Sequence, residues 1–338
     1  MNRRVLLGVV LFGLSCVPPT DDPSQVKDLR VLAINFEPPE LMAANCDALL
    51  NQADAGTLNP AAFASVFQPV NMTWLIMDPA GEGRAIGWDV KACASQTDSK
   101  CENEGDFATL ASGTTHAAGS THSIELKQTL VPGFTFVNAP PDGGMGDLLF
   151  IEVISQDRFR GIGGVRMPIM LHIKAGTEEV YAMKLMVFSC RLFPEMKPNV
   201  NPVLPGMTYT TDESRTLGAD DGGLWGENDL PQFSGKDGGI RFEPLPFTDL
   251  QEPYVVPTFE LKPLNLVESW KVSWHTDLGR ITPNQTGGVG FDGVEEKHRV
   301  FWAPLQAENT EQDVNFWMVV RDGRGGQTWI QRKLHWKP

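Results

Sequence analysis

Five cysteines, six histidines and a dense run of acids and glycines are the residues of this 338-residue chain whose types could do chemistry. Cys93, Cys101, His116 and His122 put four zinc-competent side chains within thirty residues. The cysteines stand further apart than the two to four intervening residues usual in structural zinc sites, which favours a short disulfide. Asp220, Asp221, Glu227, Asn228 and Asp229 gather hard oxygen ligands, and Gly222, Gly223 and Gly226 would let the backbone fold around a cation. Asp220, Asp221 and Asp229 are therefore calcium candidates, but no EF-hand or repeat spacing is met, and a solvated acidic loop is the simpler reading. We expect no bound metal and no cofactor. The string Gly288-Val289-Gly290-Phe291-Asp292-Gly293 matches a dinucleotide fingerprint but sits in a polar connection, without the buried strand before it and helix after it that such a site needs. The chain has no phosphate loop, nucleophile elbow or paired-histidine metalloprotease motif. A carboxylate pair for acid/base work, such as Glu268 with Asp322, is invisible without the fold.

Seven of the nine tryptophans follow Pro205. In residues 267–275, Trp270, Val272 and Trp274 alternate with Lys271, Ser273 and His275, which puts the tryptophans on a buried face. Trp225 lies in a glycine-rich stretch instead, and we expect it to be an exposed ligand contact. Cys46, Cys93, Cys101 and Cys190 can pair in three ways, and we expect Cys93 with Cys101 and Cys46 with Cys190.

The export signal comes first in the chain. Arg3 and Arg4 precede an apolar run, residues 5–14, which ends in Ser15 and Cys16; these are the features of a signal peptide over residues 1–15. The run is about half the ~20 residues that a spanning helix needs. Its end resembles the lipobox of bacterial lipoproteins, which implies acylation of Cys16, although Gly13 stands where a lipobox prefers leucine. Val17 lacks the aspartate that retains such proteins at the inner membrane, so the resemblance implies an outer-membrane lipoprotein. Net charge is −14, and becomes −16 once two arginines leave with the signal peptide. Such a chain is repelled by phosphate backbones, which excludes nucleic acid as a partner and leaves lipid as the route to a membrane.

Residues 16–28 read as a lipidated cysteine and a proline-rich tether. Beyond them we expect an all-β protein of two β-sandwich domains, 29–198 and 199–338. Strands are expected at 29–36, 70–77, 84–92, 123–130, 134–138, 148–155, 167–174 and 180–189, separated by turn signals about every ten residues. Residues 96–120 read as a disulfide-restrained loop. Residues 193–205 carry the prolines and asparagines of a domain boundary, and 212–239 read as a surface excursion. Further strands are expected at 256–261, 267–275, 298–302, 314–320 and 327–336, the last two joined by the turn Asp322-Gly323-Arg324-Gly325-Gly326.

The segments Trp270 to Trp274, Leu278-Gly279-Arg280-Ile281, Phe301-Trp302-Ala303-Pro304 and Val319-Val320-Arg321-Asp322-Gly323-Arg324-Gly325-Gly326 resemble bacterial immunoglobulin-like modules of the cell envelope. With Leu29-Arg30-Val31-Leu32 and Glu37-Pro38-Pro39-Glu40, the chain is similar to predicted surface lipoproteins of the myxobacterial type. The resemblance implies an immunoglobulin-like C-terminal domain and carries no catalytic residues. The expected function is a non-catalytic, lipid-anchored envelope module that binds another envelope protein or a glycan through loops at 96–120 and 212–239. The alternative is a glycan-directed envelope hydrolase using carboxylates that the fold brings together.

Overall fold

A computed structural model describes residues 22–44, 67–79, 81–95, 97–98, 100–103, 105–117, 122–138, 146–157, 163–210, 223–235, 239–288, 298–305 and 310–338. The first unit holds β1 (Arg30–Glu37), β2 (Glu40–Ala43), β3 (Val70–Met77), β4 (Ala85–Cys93), β5 (Phe107–His116), β6 (Ser123–Leu130), β7 (Phe136–Val137), β8 (Asp147–Leu148), helix α1 (Leu149–Gln156), β9 (Val165–Ala175) and β10 (Glu178–Cys190). The second holds β11 (Met207–Thr210), β12 (Gly223–Leu224), β13 (Gln232–Ser234), β14 (Ile240–Pro244), β15 (Pro253–Pro257), β16 (Pro263–Val267), β17 (Lys271–Thr276), β18 (Arg280–Thr282), β19 (Gln285–Gly287), β20 (Val300–Ala303), β21 (Gln312–Arg321) and β22 (Gln327–Lys337). The protein is all-β, built as two sandwiches.

Both sandwiches use one plan. The first pairs sheet β1-β3-β6 with sheet β2-β10-β9-β4-β5; the second pairs β12-β11-β14-β20-β18 with β13-β22-β21-β17-β19. In each, an early strand lies parallel to the last one, β2 to β10 and β13 to β22. In each, the last two strands form a hairpin beside the strand that opens the middle of the unit. This is immunoglobulin-type connectivity. One departure is that β18 joins the opposite sheet before β19 returns to pair with β17. Pro38 and Pro39 end β1 because proline cannot donate to a ladder, and the chain crosses there to the other sheet as β2.

The units do not hang apart as beads. The outer face of the β1-β3-β6 sheet lies on the outer face of the β22-β21-β17 sheet, through Leu32, Ala33, Leu75 and Met77 on one side and Trp317, Val319 and Trp329 on the other, with Val26 beside them. A bulge between Val31 and Ala33 leaves Leu32 unpaired, so two consecutive residues of β1 face the second unit. Trp74-Leu75-Ile76-Met77 and Phe316-Trp317-Met318-Val319-Val320 are accordingly apolar without alternation, since both of their faces are buried.

Several expectations are corrected. The strand expected at 148–155 is mostly a helix, α1 (Leu149–Gln156), with Leu149, Phe150 and Val153 inward. The expected loop at 96–120 contains the ten-residue strand β5, at the edge of its sheet. The tether ends early: Ser24, Gln25 and Val26 run parallel to the end of β17, with Val26 N donating to Thr276 O at 2.7 Å and Thr276 N to Ser24 O at 2.8 Å. Arg280 pairs with Asp22 at 2.8 Å. Residues 16–21, including Cys16, lie outside the described residues, as does the signal peptide. Cys93 and Cys101 are joined in a disulfide with Cα atoms 5.8 Å apart. Cys190 is also disulfide-bonded, while its expected partner, Cys46, lies outside the described residues.

Candidate functional site

The turn joining β21 to β22 is built around one carboxylate. Asp322 Oδ1 accepts from the backbone N–H of Arg324 at 2.7 Å, Gly325 at 3.0 Å and Gly326 at 2.9 Å. Oδ2 accepts from Asn199 Nδ2 at 2.6 Å. Gly326 packs so tightly that a Cβ there would strike this carboxylate and the Val200 carbonyl. Burial pushes the Asp322 carboxyl up, while the turn N–H groups and Asn199 pull it back.

The turn then throws Arg324 into the angle between the units. Its guanidinium lies 3.2 Å from Glu268, 3.7 Å from Glu40 of β2 and 3.8 Å from Glu252, over the Tyr254 ring at 4.3 Å. Glu40 in turn accepts from Ser189 Oγ of β10 and, at 2.7 Å, from Asn199 N. Asn201 donates to Phe36 O at 2.8 Å and accepts from Gln327 N at 2.9 Å. The stretch read as a boundary is thus part of the joint: its asparagines bond both sandwiches. Glu268 and Asp322, named as an acid pair from sequence, do meet at Arg324. Each is already engaged, Glu268 by Arg324 and by Trp270 Nε1 at 2.9 Å, and Asp322 by its turn.

From this clasp the β15–β16 hairpin projects. Its base is closed by Glu268 N donating to Glu252 O at 3.0 Å, and its tip by Thr258 N donating to Lys262 O at 2.9 Å. Every residue of β16 is exposed, and both edges of this two-stranded sheet are open among the described residues. Phe259 is 73 % exposed, Val267 62 % and Leu261 54 %. Leu261 also holds φ +54°, a left-handed backbone that branched side chains avoid. Leu261 therefore gains little burial to offset that conformation.

On the other side of the turn, Lys184 of β10 and Arg321 of β21 line a cavity of about 420 Å³ between the units. Lys184 Nζ donates to Ile34 O at 2.7 Å and lies 5.1 Å from the Phe36 ring. Burial pushes its amine down to about 7; Asp322 opposes the shift and Arg321 adds to it. Arg321 donates to Ser273 Oγ at 2.9 Å and to Leu32 O at 3.4 Å, and burial lowers it too.

The remaining expected sites fare differently. Trp225 is no exposed contact: at 1 % exposure it packs against Tyr209, Phe242 and Phe316, because its backbone N–H donates to Met207 O and draws it into the second core. Trp270 and Trp274 are core residues, as alternation required. The disulfide removes Cys93 and Cys101 from any zinc site. Asp229 caps its own turn, accepting from Gly226 N at 2.7 Å, while Asp220 and Asp221 lie outside the described residues. No group of three or more metal-ligating side chains occurs among the described residues. Residues 289–293 of the glycine string also lie outside them. Neither the hairpin nor Lys184 was singled out from sequence; the signal available was a run of exposed-type prolines and leucines that never alternates cleanly.

No protein family and no curated protein sequence matches this chain. Among solved structures, red sea bream transglutaminase aligns over 92 % of this chain and 32 % of its own, at 9 % identity and TM-score 0.25. Escherichia coli alpha-2-macroglobulin aligns over 92 % and 17 %, at 9 % identity and TM-score 0.21. The C-terminal domain of the Streptococcus pyogenes antigen I/II-family protein AspA aligns over 79 % and 92 %, at 8 % identity and TM-score 0.19. The chain therefore spans about a third or less of the first two proteins. At such scores the likenesses carry no argument about function.

Proposed function

We propose that this chain is a non-catalytic binding module of the cell envelope, anchored to the outer membrane through an acylated Cys16 and offering the β15–β16 hairpin to another envelope protein. The observation that carries this reading is the hairpin itself. Its second strand is exposed throughout, its tip and that strand expose Phe259, Leu261, Leu264, Leu266 and Val267, and its base is fixed by Glu268 and Arg324. A two-stranded hairpin is marginal on its own, and exposed apolar groups gathered in one place mark interaction sites. A protein suits this ledge better than a glycan, because the exposed groups are aliphatic and one phenyl ring, with few donors. The loops first expected to make contact give way to it.

The test is a photo-crosslinking side chain placed at position 259, and as a control at position 109, in the full chain in its own membranes. A discrete adduct at 259 that is absent at 109 and is lost in the double variant Leu264→Ser/Leu266→Ser supports the module. Equal labelling at both positions sinks it. Anchoring is tested separately: Cys16→Ala should move the protein to the soluble fraction.

The hydrolase reading retains one favouring observation, the meeting of Glu40, Glu268 and Asp322 around Arg324. Turnover of a glycan panel by the purified chain, abolished by Glu268→Gln, would replace the module by the enzyme.

A further inference from the structure

The interdomain cavity beside the clasp is unusual in its charge. The chain carries 42 acids and 28 lysines and arginines, and it pairs its half-buried cations freely: Arg84 with Asp78 and Glu178, Arg299 with Glu243, Arg324 with three glutamates. Lys184 and Arg321 are the exceptions at this joint. Both line one cavity, and among the described residues neither makes an ion pair; their hydrogen bonds go to the neutral oxygens of Ile34, Leu32 and Ser273. Asp322 is the acid whose charge is felt by Lys184, but its oxygens are occupied by three turn N–H groups and by Asn199.

A third polar residue lines the same space. Gln327 lines the cavity at 6 % exposure, and its side-chain Nε2 is buried without a hydrogen-bond partner among the described residues. A buried donor left unmatched costs free energy, and two unpaired cations close together cost more. Among the described residues the lining of this cavity holds no carboxylate to relieve them. A guanidinium and an ammonium whose bonds go only to neutral oxygens, lining one cavity with a carboxamide that has an unmatched donor, suit a negative group with several oxygens.

We propose that this cavity binds a small oxyanion, a phosphate, sulfate or carboxylate, between Lys184 of the first sandwich and Arg321 and Gln327 of the second. The anion bridges the two units and ties occupancy to the stability of their joint, because a ligand held only by the native state stabilises it by mass action.

The experiment uses the full chain in detergent, at constant ionic strength made up with sodium chloride, titrated with sodium phosphate, sodium sulfate or sodium citrate. Thermal unfolding and titration calorimetry are the readouts. The expected result is a saturable rise in Tm with at least one of these anions, absent with chloride. Lys184→Met and Gln327→Leu should each weaken the binding by about tenfold or more, the size of one lost charge-assisted or buried contact, whereas Lys127→Met, on the exposed surface, should leave it unchanged. Which anion binds tightest separates a mineral from an organic source. A rise that grows without saturating, that chloride reproduces, or that persists undiminished in Lys184→Met is the general effect of salts on burial and overturns the site. Should Lys184→Met fold poorly, Arg321→Gln provides the same comparison.

Discussion

Lys184 illustrates what a single side chain can impose on the whole. Its amine titrates near 7 in the folded chain against 10.5 unfolded. Below pH 7 both states are protonated and the folded one bears the full cost of a buried charge. Between 7 and 10.5 the folded state has released its proton while the unfolded state keeps it, so stability climbs with pH, and above 10.5 the cost is gone. In buffers free of oxyanions, Lys184→Met should therefore be more stable than the parent by about 2–4 kcal/mol at pH 7 and below, after allowance for the lost bond to Ile34. The advantage should shrink by pH 10, as read from urea midpoints. His275 works at the other end of the scale. Burial, with Arg321 adding to it, pushes its imidazole down to about 4 from 6.5. Its contribution is intact above pH 6.5 and is lost as pH falls toward 4, on the order of 3 kcal/mol. In His275→Leu the loss of stability between pH 7 and 4.5 should be smaller by that amount.

Among the elements, the β21–β22 turn and the β15–β16 hairpin invite opposite expectations. Asp322→Ala strips three backbone N–H groups and Asn199 of their acceptor in a buried place, and should cost about 3 kcal/mol in urea denaturation. Leu261→Gly removes an apolar contact from solvent and relieves a left-handed backbone, so stability should hold or rise by up to about 1 kcal/mol while partner capture is lost. The turn was legible beforehand because Asp-Gly-Arg-Gly-Gly between two apolar runs leaves few alternatives, although its role in joining the units was not. Residues 149–156 were misread for a physical reason. Leu149, Phe150, Val153 and Ile154 satisfy a helical face, yet a short run rich in isoleucine and valine looks equally like a buried strand. β5 went unread because its alanines, serine and glycine dilute the strand preference of its threonines; pairing with β4 makes it a strand, and Gly113 leaves room for the Trp88 ring. The hairpin was half seen, as one strand across its turn.

For the whole molecule, the governing feature is the apolar seam between the sandwiches. Trp317 is buried there, and Trp317→Ala should cost about 3–5 kcal/mol. Because the seam, Asn199, Asn201 and Arg324 join both units, the parent should unfold in a single calorimetric transition. Two separated transitions would mean that the sandwiches are independent. That each unit is a sandwich could be read from strand spacing, and the burial of Trp270 and Trp274 from alternation. What sequence could not convey is that the unbroken apolar runs of β3 and β21 face each other. Periodicity shows that two faces are buried, but not by what. The docking of Asp22 to Val26 on β17 has a mechanical consequence. If the chain is held at Cys16, six residue steps separate the anchor from Asp22, which limits the leash to about 20 Å. A pull on that leash meets Ser24 and Val26 lying parallel to β17, where the Thr276 bonds resist together in shear instead of opening one after another. The load therefore enters the second sandwich first, and the sandwich that comes earlier in the sequence is shielded from it.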